Sequence, residues 1–333
     1  MTQNSPAGCR SVGAEPAVSI VIPTYNTAAF IGETLASVFA QTRMDYEVIV
    51  VNDGSPDTVQ LEQVLSPYLG RINYIKQENR GLGGARNTAI RTARAAWIAL
   101  LDSDDLWEPN YLAVQLNILE SDASVDGVYA NAVFFGDVAE AGRKYMDLCP
   151  SEGDVTFESL ITQRCTAPGG FAVIRREAIM RAGMFDETLG GSEDFDLWLR
   201  LVKQGSKITY HRQALVRYRR RGGSLMSNMV SMAKEQLRVL DKALQMPSLS
   251  PREVQMVKRQ MIRIQALQAF HEGKRAFMQG DVKTAIEQLG KANAFLKSRR
   301  MTFILLLLRL APKLLLHAYR LRDRFIFGAN TAG

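Results

Sequence analysis

Cysteine is scarce in this chain of 333 residues. The rest of the amino-acid composition is that of an ordinary globular protein. The three cysteines, Cys9, Cys149 and Cys165, are scattered with no CxxC spacing, which argues against a disulfide framework and against a structural zinc site. Gly 25 and Pro 11 are too few for a collagen-like or low-complexity protein. We therefore expect a globular protein from a reducing compartment such as the cytoplasm.

The sequence also lacks the apolar stretch of a secretory signal at its start. Residues 1–17 are small and polar and are interrupted by Gly and Pro, so we expect a short disordered lead rather than a signal peptide. The remaining length predicts one large domain with an appendage, or two domains, because domains average roughly 150 residues.

Charge is divided unevenly along the chain. Residues 1–227 carry 22 Lys and Arg against 27 Asp and Glu, whereas residues 228–333 carry 19 against 7. The overall charge of +7 therefore comes from a basic C-terminal part joined to an acidic body. Such a part either presents a solvated basic helical face or contacts a polyanion, such as a membrane surface or a nucleic acid.

From residue 18 onward, β-branched runs of strand length alternate with amphipathic stretches of helix length. This alternation predicts parallel βαβ units in an α/β sheet covered by helices. The predicted strands are Val18–Ile22, Val48–Val51, Ile72–Ile75 and Trp97–Leu101, and the predicted helices are Phe30–Phe39, Gly83–Ala95 and Pro109–Leu119. Ligands bind at the carboxyl ends of the strands in sheets of this kind.

Polar residues follow all four predicted strands, in segments 23–26, 52–55, 79–81 and 102–105. Each segment alone is typical of a turn, but four at one sheet edge indicate a binding site. Asp102, Asp104 and Asp105 come directly after a buried strand. Oxygen ligands this close favour a hard divalent cation, Mg²⁺ or Mn²⁺, and the alternative is an N-cap for the following helix.

The pattern changes beyond residue 125, where the predicted elements are shorter. They are a strand pair over Asp126–Phe135, a strand over Gly169–Ile174, and helices over Arg176–Gly183 and Glu193–Gln204. We assign them to the second half of one domain, residues 18–227. Residues 228–333 are predicted to be all-helical, with breaks at Pro247, Pro251 and Gly280.

Five segments together resemble the ordered motif series of family-2 glycosyltransferases with the GT-A fold. They are Val18–Asn26 (VSIVIPTYN), Val48–Asp57 (VIVVNDGSPD), Asn79–Asn87 (NRGLGGARN), Leu100–Asp105 (LLDSDD) and Gly191–Leu201 (GSEDFDLWLRL). The resemblance implies an α/β, Rossmann-like GT-A sheet flanked by helices, followed here by an all-α C-terminal region. It implies an inverting transferase that moves a sugar from a nucleotide diphosphate sugar, with a UDP-sugar expected, to a hydroxyl of a glycan or lipid-linked acceptor in cell-surface polysaccharide synthesis.

The resemblance also implies which residues bind the nucleobase and ribose of the donor, namely Pro23, Tyr25, Glu33 and Asp53. A carboxylate such as Asp53 accepts the imide N–H of uracil, and Tyr25 offers an aromatic face or a hydroxyl. Glu33 suits a solvated helical position equally well.

Arg86 and three aspartates complete the implied donor site. Arg86 follows a glycine-rich turn at a helix start, where backbone N–H groups and a guanidinium suit an anion. A dinucleotide fingerprint is rejected because the spacing is GxGG and does not follow the first strand. Asp102 is assigned to the nucleotide-sugar, and Asp104 and Asp105 are the implied ligands of Mn²⁺ or Mg²⁺, with Asp104 also touching the donor.

By the same resemblance, Asp194 is the implied general base. It takes the proton of the acceptor hydroxyl as the oxygen attacks the anomeric carbon, and a single displacement inverts that centre. Without the other motifs, Glu193 and Asp194 simply complement a helix dipole. Glu193, Gly169, Gly170 and Trp198 are assigned to the sugar pocket, with the glycines leaving room for a sugar, while Trp198 suits the core equally well.

One departure from the family pattern concerns the end of the domain. The histidine common there is absent, because residues 218–224 read YRRRGGS. Either carboxylates, phosphates and water alone hold the ion, or His211 substitutes, or an arginine meets the diphosphate directly. We favour the last of these, with Arg219 and Arg221 as diphosphate ligands.

The C-terminal third carries two further patterns. Residues 265–295 resemble one tetratricopeptide-like hairpin turning at Gly280, and because a single repeat cannot bury a solenoid core, we expect a helical pair packed on the catalytic domain. From residue 299 to 324, seven basic residues stand against one aspartate. This stretch predicts an amphipathic tail on an anionic membrane surface, peripheral at the cytoplasmic face, and no nucleic-acid motif accompanies it.

Two other functions remain open from the sequence. One is a catalytically silent sugar-nucleotide or glycan-binding module with a helical scaffold tail. The other is a nucleotidyltransferase, which needs the same ion but not the Glu193–Asp194 pair.

Overall fold

The computed structural model of the protein describes residues 15–221, 229–247 and 249–315. Within them, eight strands form one mixed sheet. The strands are β1 (Val18–Thr24), β2 (Tyr46–Asp53), β3 (Asn73–Gln77), β4 (Trp97–Leu100), β5 (Leu106–Trp107), β6 (Val125–Phe135), β7 (Ala172–Arg175) and β8 (Lys207–Arg219). The predicted α/β fold with a helical C-terminal region is confirmed.

The described residues also form twelve α-helices. In the first 221 residues they are α1 (Ala28–Phe39), α2 (Thr58–Leu65), α3 (Gly81–Thr92), α4 (Tyr111–Ser121), α5 (Tyr145–Leu148), α6 (Phe157–Ile161), α7 (Arg176–Arg181) and α8 (Glu193–Lys203). The C-terminal helices are α9 (Met229–Leu244), α10 (Pro251–Gln279), α11 (Val282–Leu296) and α12 (Arg299–Leu310). Short 3-10 turns cover Ser66–Tyr68 and Gly169–Phe171.

The sheet runs in the order β3-β2-β1-β4-β7-β6-β8-β5. Its first four strands are parallel, as predicted. All seven residues of β1 are buried, and its last residue, Thr24, lies opposite Asn52 of β2. Because a parallel strand needs both faces covered, the β-branched runs form the centre of the core, and the polar strand ends align at one edge.

The second half of the sheet differs from the sequence prediction at Asp126–Phe135. These residues form one continuous strand, β6, rather than a strand pair. Its partners are distant in sequence, since β7 pairs with it antiparallel and β8 pairs with it parallel. The polar Asn131 lies at a break in the β6–β8 register, where a bulge and not a turn interrupts the pattern. Residues 169–171 likewise form a 3-10 turn before β7 begins at Ala172.

The loops after β1 and β2 are held to each other by hydrogen bonds. The backbone N–H of Asn26 donates to Oγ of Ser55 (2.7 Å), and that of Ala28 donates to Oδ2 of Asp57 (2.8 Å). Gly54 has a φ of +65°, and a Cβ there would lie 2.8 Å from the backbone nitrogen of Asn79. A glycine is therefore needed where the second and third strand ends approach.

The helix α9 packs on the sheet domain although it follows the predicted boundary at residue 227. Val239, Leu240 and Ala243 are buried in the same core as the strands. Its Lys242 pairs with Asp196 of α8 at 2.7 Å. The first C-terminal helix therefore extends the core of the sheet domain.

The next two helices form the predicted hairpin. Pro251 occupies the first turn of α10, Ser250 caps it, and Gly280 ends it in a left-handed conformation. The start of α10 contacts the sheet domain, where Lys203 pairs with Glu253 at 3.0 Å. By contrast α11 packs mainly against α10 and α12, so α10 makes the main contact of the pair with the sheet domain.

No helix within the described residues combines the length and the apolar character needed to cross a membrane.

Candidate functional site

A cavity of about 520 Å³ opens at the carboxyl ends of β1, β2 and β4. Its walls come from those strand ends, from the start of α3, from the 3-10 turn before β7, from the start of α8 and from the end of β8. Twelve of the residues proposed from the sequence line it: Pro23, Tyr25, Asp53, Arg86, Asp102, Asp104, Gly169, Gly170, Glu193, Asp194, Arg219 and Arg221. Residues up to 198 positions apart in sequence thus meet around one space.

One end of the cavity is formed by Asp53 and Tyr25. The Asp53 carboxylate is buried, and its Oδ1 accepts hydrogen bonds from Nε2 of Gln77 (2.7 Å) and from the backbone N–H of Arg80 (2.9 Å). These bonds fix the orientation of the carboxylate toward the cavity. Tyr25 is 51% exposed at the entrance, which leaves its ring accessible to a planar ligand.

The wall of the cavity contains an ion-paired arginine. Arg86, on α3, is 2% exposed and donates to Oε1 of Glu193 (2.6 Å) and to Oδ1 of Asp102 (2.7 Å). Burial alone lowers the pKa of Arg86, but Asp102, Glu193 and Asp194 together raise it above its usual range. A buried cation of this kind is stable only while its carboxylates stay in place.

The two carboxyls at the start of α8 have raised pKa values. Burial and the neighbouring Asp194 raise the pKa of Glu193 to about 7, against the opposing effect of Arg86. Burial also raises the pKa of Asp194, and Arg86 again opposes this. A base with a raised pKa accepts a proton more readily near neutral pH.

Asp194 is oriented by two backbone donors. The N–H of Gly169 donates to Oδ2 (3.0 Å) and that of Phe195 to Oδ1 (2.7 Å). A Cβ on Gly169 would lie 2.9 Å from Cβ of Asp194, and one on Gly170 would lie 2.8 Å from Oδ2 of Asp102. The two glycines therefore leave room for these carboxylates to approach the backbone. From the sequence, the same glycines were expected to leave room for a sugar.

The end of β8 covers the carboxylates that follow β4. Nε of Arg221 donates to Oδ2 of Asp104 (2.9 Å), and Nε of Arg219 donates to the carbonyl oxygen of Asp104 (2.8 Å). The backbone N–H of Arg219 donates to Oδ1 of Asp105 (2.8 Å). Burial and the adjacent Asp102 raise the pKa of Asp104, while Arg221 opposes this.

The donor set beside these arginines suits a hard cation. Asp102 and Asp104 both line the cavity, their side chains are 32% and 18% exposed, and all their donor atoms are oxygens. Among the described residues, no group of three or more His, Cys, Asp and Glu side chains is arranged to hold a metal ion by itself. An ion bound here would take its remaining ligands from water and from the bound donor, as Mg²⁺ commonly does.

Four residues considered from the sequence do not line the cavity. Asp105 is fully buried beneath Arg219, and Glu33 is 59% exposed outside it, where it pairs with Nη2 of Arg219. Trp198 is packed in the core against Tyr129. His211 bonds to Gln115 at 3.0 Å, away from the carboxylates. Asp105 and Glu33 thus both contact Arg219 from outside the cavity. Trp198 occupies the core position that its helical spacing allowed.

Sequence reasoning missed an aromatic wall of the cavity. Tyr145, Phe171 and Tyr218 line it and pack against one another, with ring centroids 5.1 to 6.2 Å apart. Burial raises the pKa of both tyrosines. Met232 of α9 adds a further wall residue from beyond the predicted domain boundary. Only Tyr218 carried a signal, since it precedes the arginine cluster.

The mixed sheet, with a carboxylate-lined cavity at the carboxyl ends of its parallel strands, has the arrangement expected of the GT-A fold. In agreement, residues 19–183 match the model of the family described as Glycosyl transferase family 2. This part of the chain is a family-2 glycosyltransferase domain.

The curated proteins that resemble this chain include uncharacterized glycosyltransferases and a chondroitin synthase. An uncharacterized glycosyltransferase of Rickettsia prowazekii is 31% identical over 212 residues, which is 61% of this chain and 64% of the relative. One from Rickettsia bellii is 32% identical over 61% of this chain, and the chondroitin synthase of Escherichia coli is 31% identical over 59%. This chain spans only 30% and 29% of the length of these two relatives.

Solved structures share the fold at low sequence identity. The mannosyltransferase PcManGT of Pyrobaculum calidifontis, determined with GDP-Man and Mn²⁺, superposes with a TM-score of 0.62 at 20% identity, covering 88% of this chain and 79% of that one. Residues 1–349 of Staphylococcus aureus TarS, determined with UDP-GlcNAc, give 0.61 at 17% identity, covering 93% and 92%. At these identities the likeness establishes the GT-A fold alone.

Proposed function

We propose that the protein is an inverting glycosyltransferase that moves a sugar from a nucleotide diphosphate sugar to an acceptor hydroxyl. The proposal rests on one cavity that is lined by Asp53, by Asp102 and Asp104, and by Asp194. Its volume of about 520 Å³ lies in the range of pockets that enclose small-molecule ligands.

The donor would lie along the strand ends. Asp53 offers its carboxylate to the imide N–H of a uracil, and Tyr25 offers its ring to the base, so we propose a UDP-sugar. The diphosphate would lie near Arg219 and Arg221, whose guanidiniums present paired donors to phosphate oxygens. Two proteins of similar structure were determined with UDP-GlcNAc and with GDP-Man. They support a nucleotide-sugar donor and do not distinguish uracil from guanine as its base.

We propose that Asp104, with Asp102, holds a divalent cation, Mn²⁺ or Mg²⁺. Both carboxylates reach the cavity and all their donors are oxygens. The cation, when bound, neutralises charge on the departing nucleoside diphosphate. The Mn²⁺ in the neighbouring mannosyltransferase structure supports this choice. The adjacent Asp105 acts indirectly, because it orients the backbone of Arg219.

Transfer itself would depend on Asp194. Its carboxylate takes the proton of the acceptor hydroxyl, the acceptor oxygen forms a bond to the anomeric carbon, and the bond from that carbon to the phosphate oxygen breaks. The nucleoside diphosphate leaves from the opposite face, so the anomeric configuration inverts. Arg86 keeps the neighbouring Glu193 and Asp102 in place without entering the reaction.

We further propose that the acceptor is a glycan or a lipid-linked glycan, as in the synthesis of cell-surface polysaccharide, and that the enzyme works at the cytoplasmic face of the membrane. The E. coli chondroitin synthase among the relatives supports a polysaccharide acceptor. Gly190, Gly191 and Met232 also line the cavity, and we propose that the acceptor approaches Asp194 along them.

The decisive variant is Asp194→Asn, which keeps the size of the side chain and removes its basicity. Release of nucleoside diphosphate from UDP-glucose, UDP-GlcNAc and GDP-mannose is measured with Mn²⁺, and binding of the same donors is measured by calorimetry. We expect release to fall 10²- to 10⁴-fold, with donor Kd within about threefold of the wild type. The control is Asp241→Asn, an exposed carboxylate on α9, which should leave both quantities unchanged.

The same experiment separates the competing functions. A silent binding module would bind a donor but release no nucleoside diphosphate in either form. A nucleotidyltransferase would release no nucleoside diphosphate from these donors. Given a nucleoside triphosphate and a sugar 1-phosphate it would release pyrophosphate, and Asp194→Asn would leave that rate unchanged. Either result contradicts the proposed function.

A further inference from the structure

One face of α12 is apolar and exposed. Met301, Leu305 and Leu308 are buried against α11 and the end of α10. On a helix of 3.6 residues per turn, the opposite face carries Phe303, Leu306 and Leu310 at spacings of three and four. These three side chains are 59%, 51% and 74% exposed. We call them the apolar stripe.

Basic residues flank the apolar stripe. Arg300 lies on one side of it on the helical wheel and Arg309 on the other, and both are exposed. Arg299 precedes the stripe and Lys313 follows it, also exposed. Among the described residues, none of these four forms an ion pair with a carboxylate.

Acidic residues are absent from this part of the chain. Between Gln288 and Leu315 the sequence contains no Asp or Glu, and the next carboxylate is Asp323. A solvated helical surface usually carries both signs of charge, whereas this one combines cations with exposed apolar side chains. The flanking cations therefore suit an anionic partner, and the apolar stripe suits a hydrocarbon one.

The geometry points to α12 as an interfacial membrane helix. We propose that the apolar stripe enters the headgroup region of an anionic bilayer while Arg300 and Arg309 contact lipid phosphates on either side. Twelve residues give about 18 Å of helix, too short for a hydrocarbon core of ~30 Å, so α12 lies in the plane of the membrane. This inference does not depend on the proposed transfer reaction.

A bilayer fits these features better than a protein partner does. A protein groove would need matching carboxylates placed opposite both arginines, whereas an anionic bilayer supplies phosphates along the whole helix. The buried face of α12 packs on α11, so the helix is already oriented with its apolar stripe outward. No rearrangement of the described helices is needed for insertion.

The test is co-sedimentation of the full-length protein with two kinds of vesicle, pure phosphatidylcholine and phosphatidylcholine with 30% phosphatidylglycerol. We expect binding to the anionic vesicles and at least tenfold weaker binding to the neutral ones. Changing Phe303, Leu306 and Leu310 together to Ser should weaken anionic binding by roughly 30-fold or more, because each side chain loses its burial in lipid. The matched control changes three exposed apolar side chains of the sheet domain, Val59, Leu69 and Met180, to Ser.

The charge contribution is tested with the pair Arg300→Gln and Arg309→Gln. At about fivefold for each arginine near the surface, the double variant should bind anionic vesicles roughly 30-fold more weakly and should leave binding to neutral vesicles unchanged. The control pair is Lys258→Gln and Arg259→Gln, both exposed on α10. Donor binding in the cavity should be unaffected in all of these variants.

Three results would overturn the proposal. Equal binding to neutral and anionic vesicles would show that the basic residues do not contribute to membrane binding. Wild-type binding by the Ser variant of the apolar stripe removes the role of α12. The third result is a wild type that does not bind vesicles and is an oligomer by light scattering, together with a Ser variant that is a monomer. That result would make the apolar stripe a contact between copies of the chain.

Discussion

Arg86 donates a 2.6 Å hydrogen bond to Glu193, 107 residues further along the chain, and neither side chain is more than 5% exposed. This ion pair joins the middle of α3 to the start of α8. It connects the part of the site proposed to bind the donor with the part that carries the proposed base. The position of Asp194 therefore depends on the contact between Arg86 and the adjacent Glu193.

The first prediction concerns the close approach of Gly169 to Asp194. In Gly169→Ala the new Cβ would lie 2.9 Å from Cβ of Asp194, so the carboxylate must move. We expect release of nucleoside diphosphate to fall at least tenfold, while donor binding stays within about threefold. In the control Gly70→Ala the new methyl would meet nothing within 4 Å, and equal effects of the two substitutions on turnover would contradict the account.

The second prediction concerns the pH dependence of stability. The pKa of Glu193 is about 7 in the folded state, against 4.5 for an ordinary glutamate. Between these values the folded state binds more protons than the unfolded state, so the free energy of unfolding falls as pH rises from about 4.5 to about 7. Urea unfolding of the wild type and of Glu193→Gln measures this directly.

We expect the wild type to lose stability relative to Glu193→Gln across that range, by an amount on the order of a few kcal/mol. Below pH 4.5 the difference between the two proteins should be constant. A parallel course of the two curves between pH 5 and pH 7 would show that Glu193 does not titrate there.

Much of the fold follows from local sequence, because the parallel strands are β-branched runs bounded by turn residues. The strand ends and their carboxylates could be predicted for the same reason. β6 could not, since its partners β7 and β8 lie far along the chain and the irregularity at Asn131 looks the same as a turn in sequence.

Within the site, the sequence could indicate which residues carry charge but not how they pair. Arg86 was expected to suit an anion of the donor, and in the structure it is buried between Asp102 and Glu193. Asp105 and Asp104 are adjacent in sequence, and only the tertiary structure turns one of them into the core and the other into the cavity. The aromatic wall depends on contacts between separate elements and left no periodic signal.

The third prediction separates the arginines at the end of β8. Arg221→Ala removes a guanidinium that lines the cavity, whereas Arg217→Ala removes an exposed one that stacks on Phe135 outside it. We expect Arg221→Ala to weaken binding of the nucleoside diphosphate about tenfold or more and to leave binding of the nucleoside unchanged. Calorimetry in the absence of metal gives both constants, and an equal loss for the two variants would exclude a specific diphosphate contact.

The fourth prediction tests the packing of α10 on α11. In Gly273→Ala the new Cβ would lie 2.7 Å from Cγ of Leu289, whereas in Gly290→Ala, on α11, it would meet nothing within 4 Å. Both changes gain helix propensity of up to about 1 kcal/mol, so their difference isolates the cost of overpacking. We expect Gly273→Ala to be less stable than Gly290→Ala by roughly 1–3 kcal/mol in urea unfolding, and equal stabilities would mean that the helices are not packed this closely.

The most direct test of the central claim, that this cavity binds a nucleotide diphosphate sugar at its carboxylates, is thermal stabilisation of the full-length protein by UDP, GDP, dTDP, CMP and NAD, each with and without Mn²⁺. A ligand present at 100 times its Kd stabilises the folded state by about 2.7 kcal/mol. The account predicts a rise in Tm with UDP that increases with Mn²⁺, and loss of that increase in Asp104→Asn. The absence of any shift with every nucleoside diphosphate, with or without Mn²⁺, would contradict it.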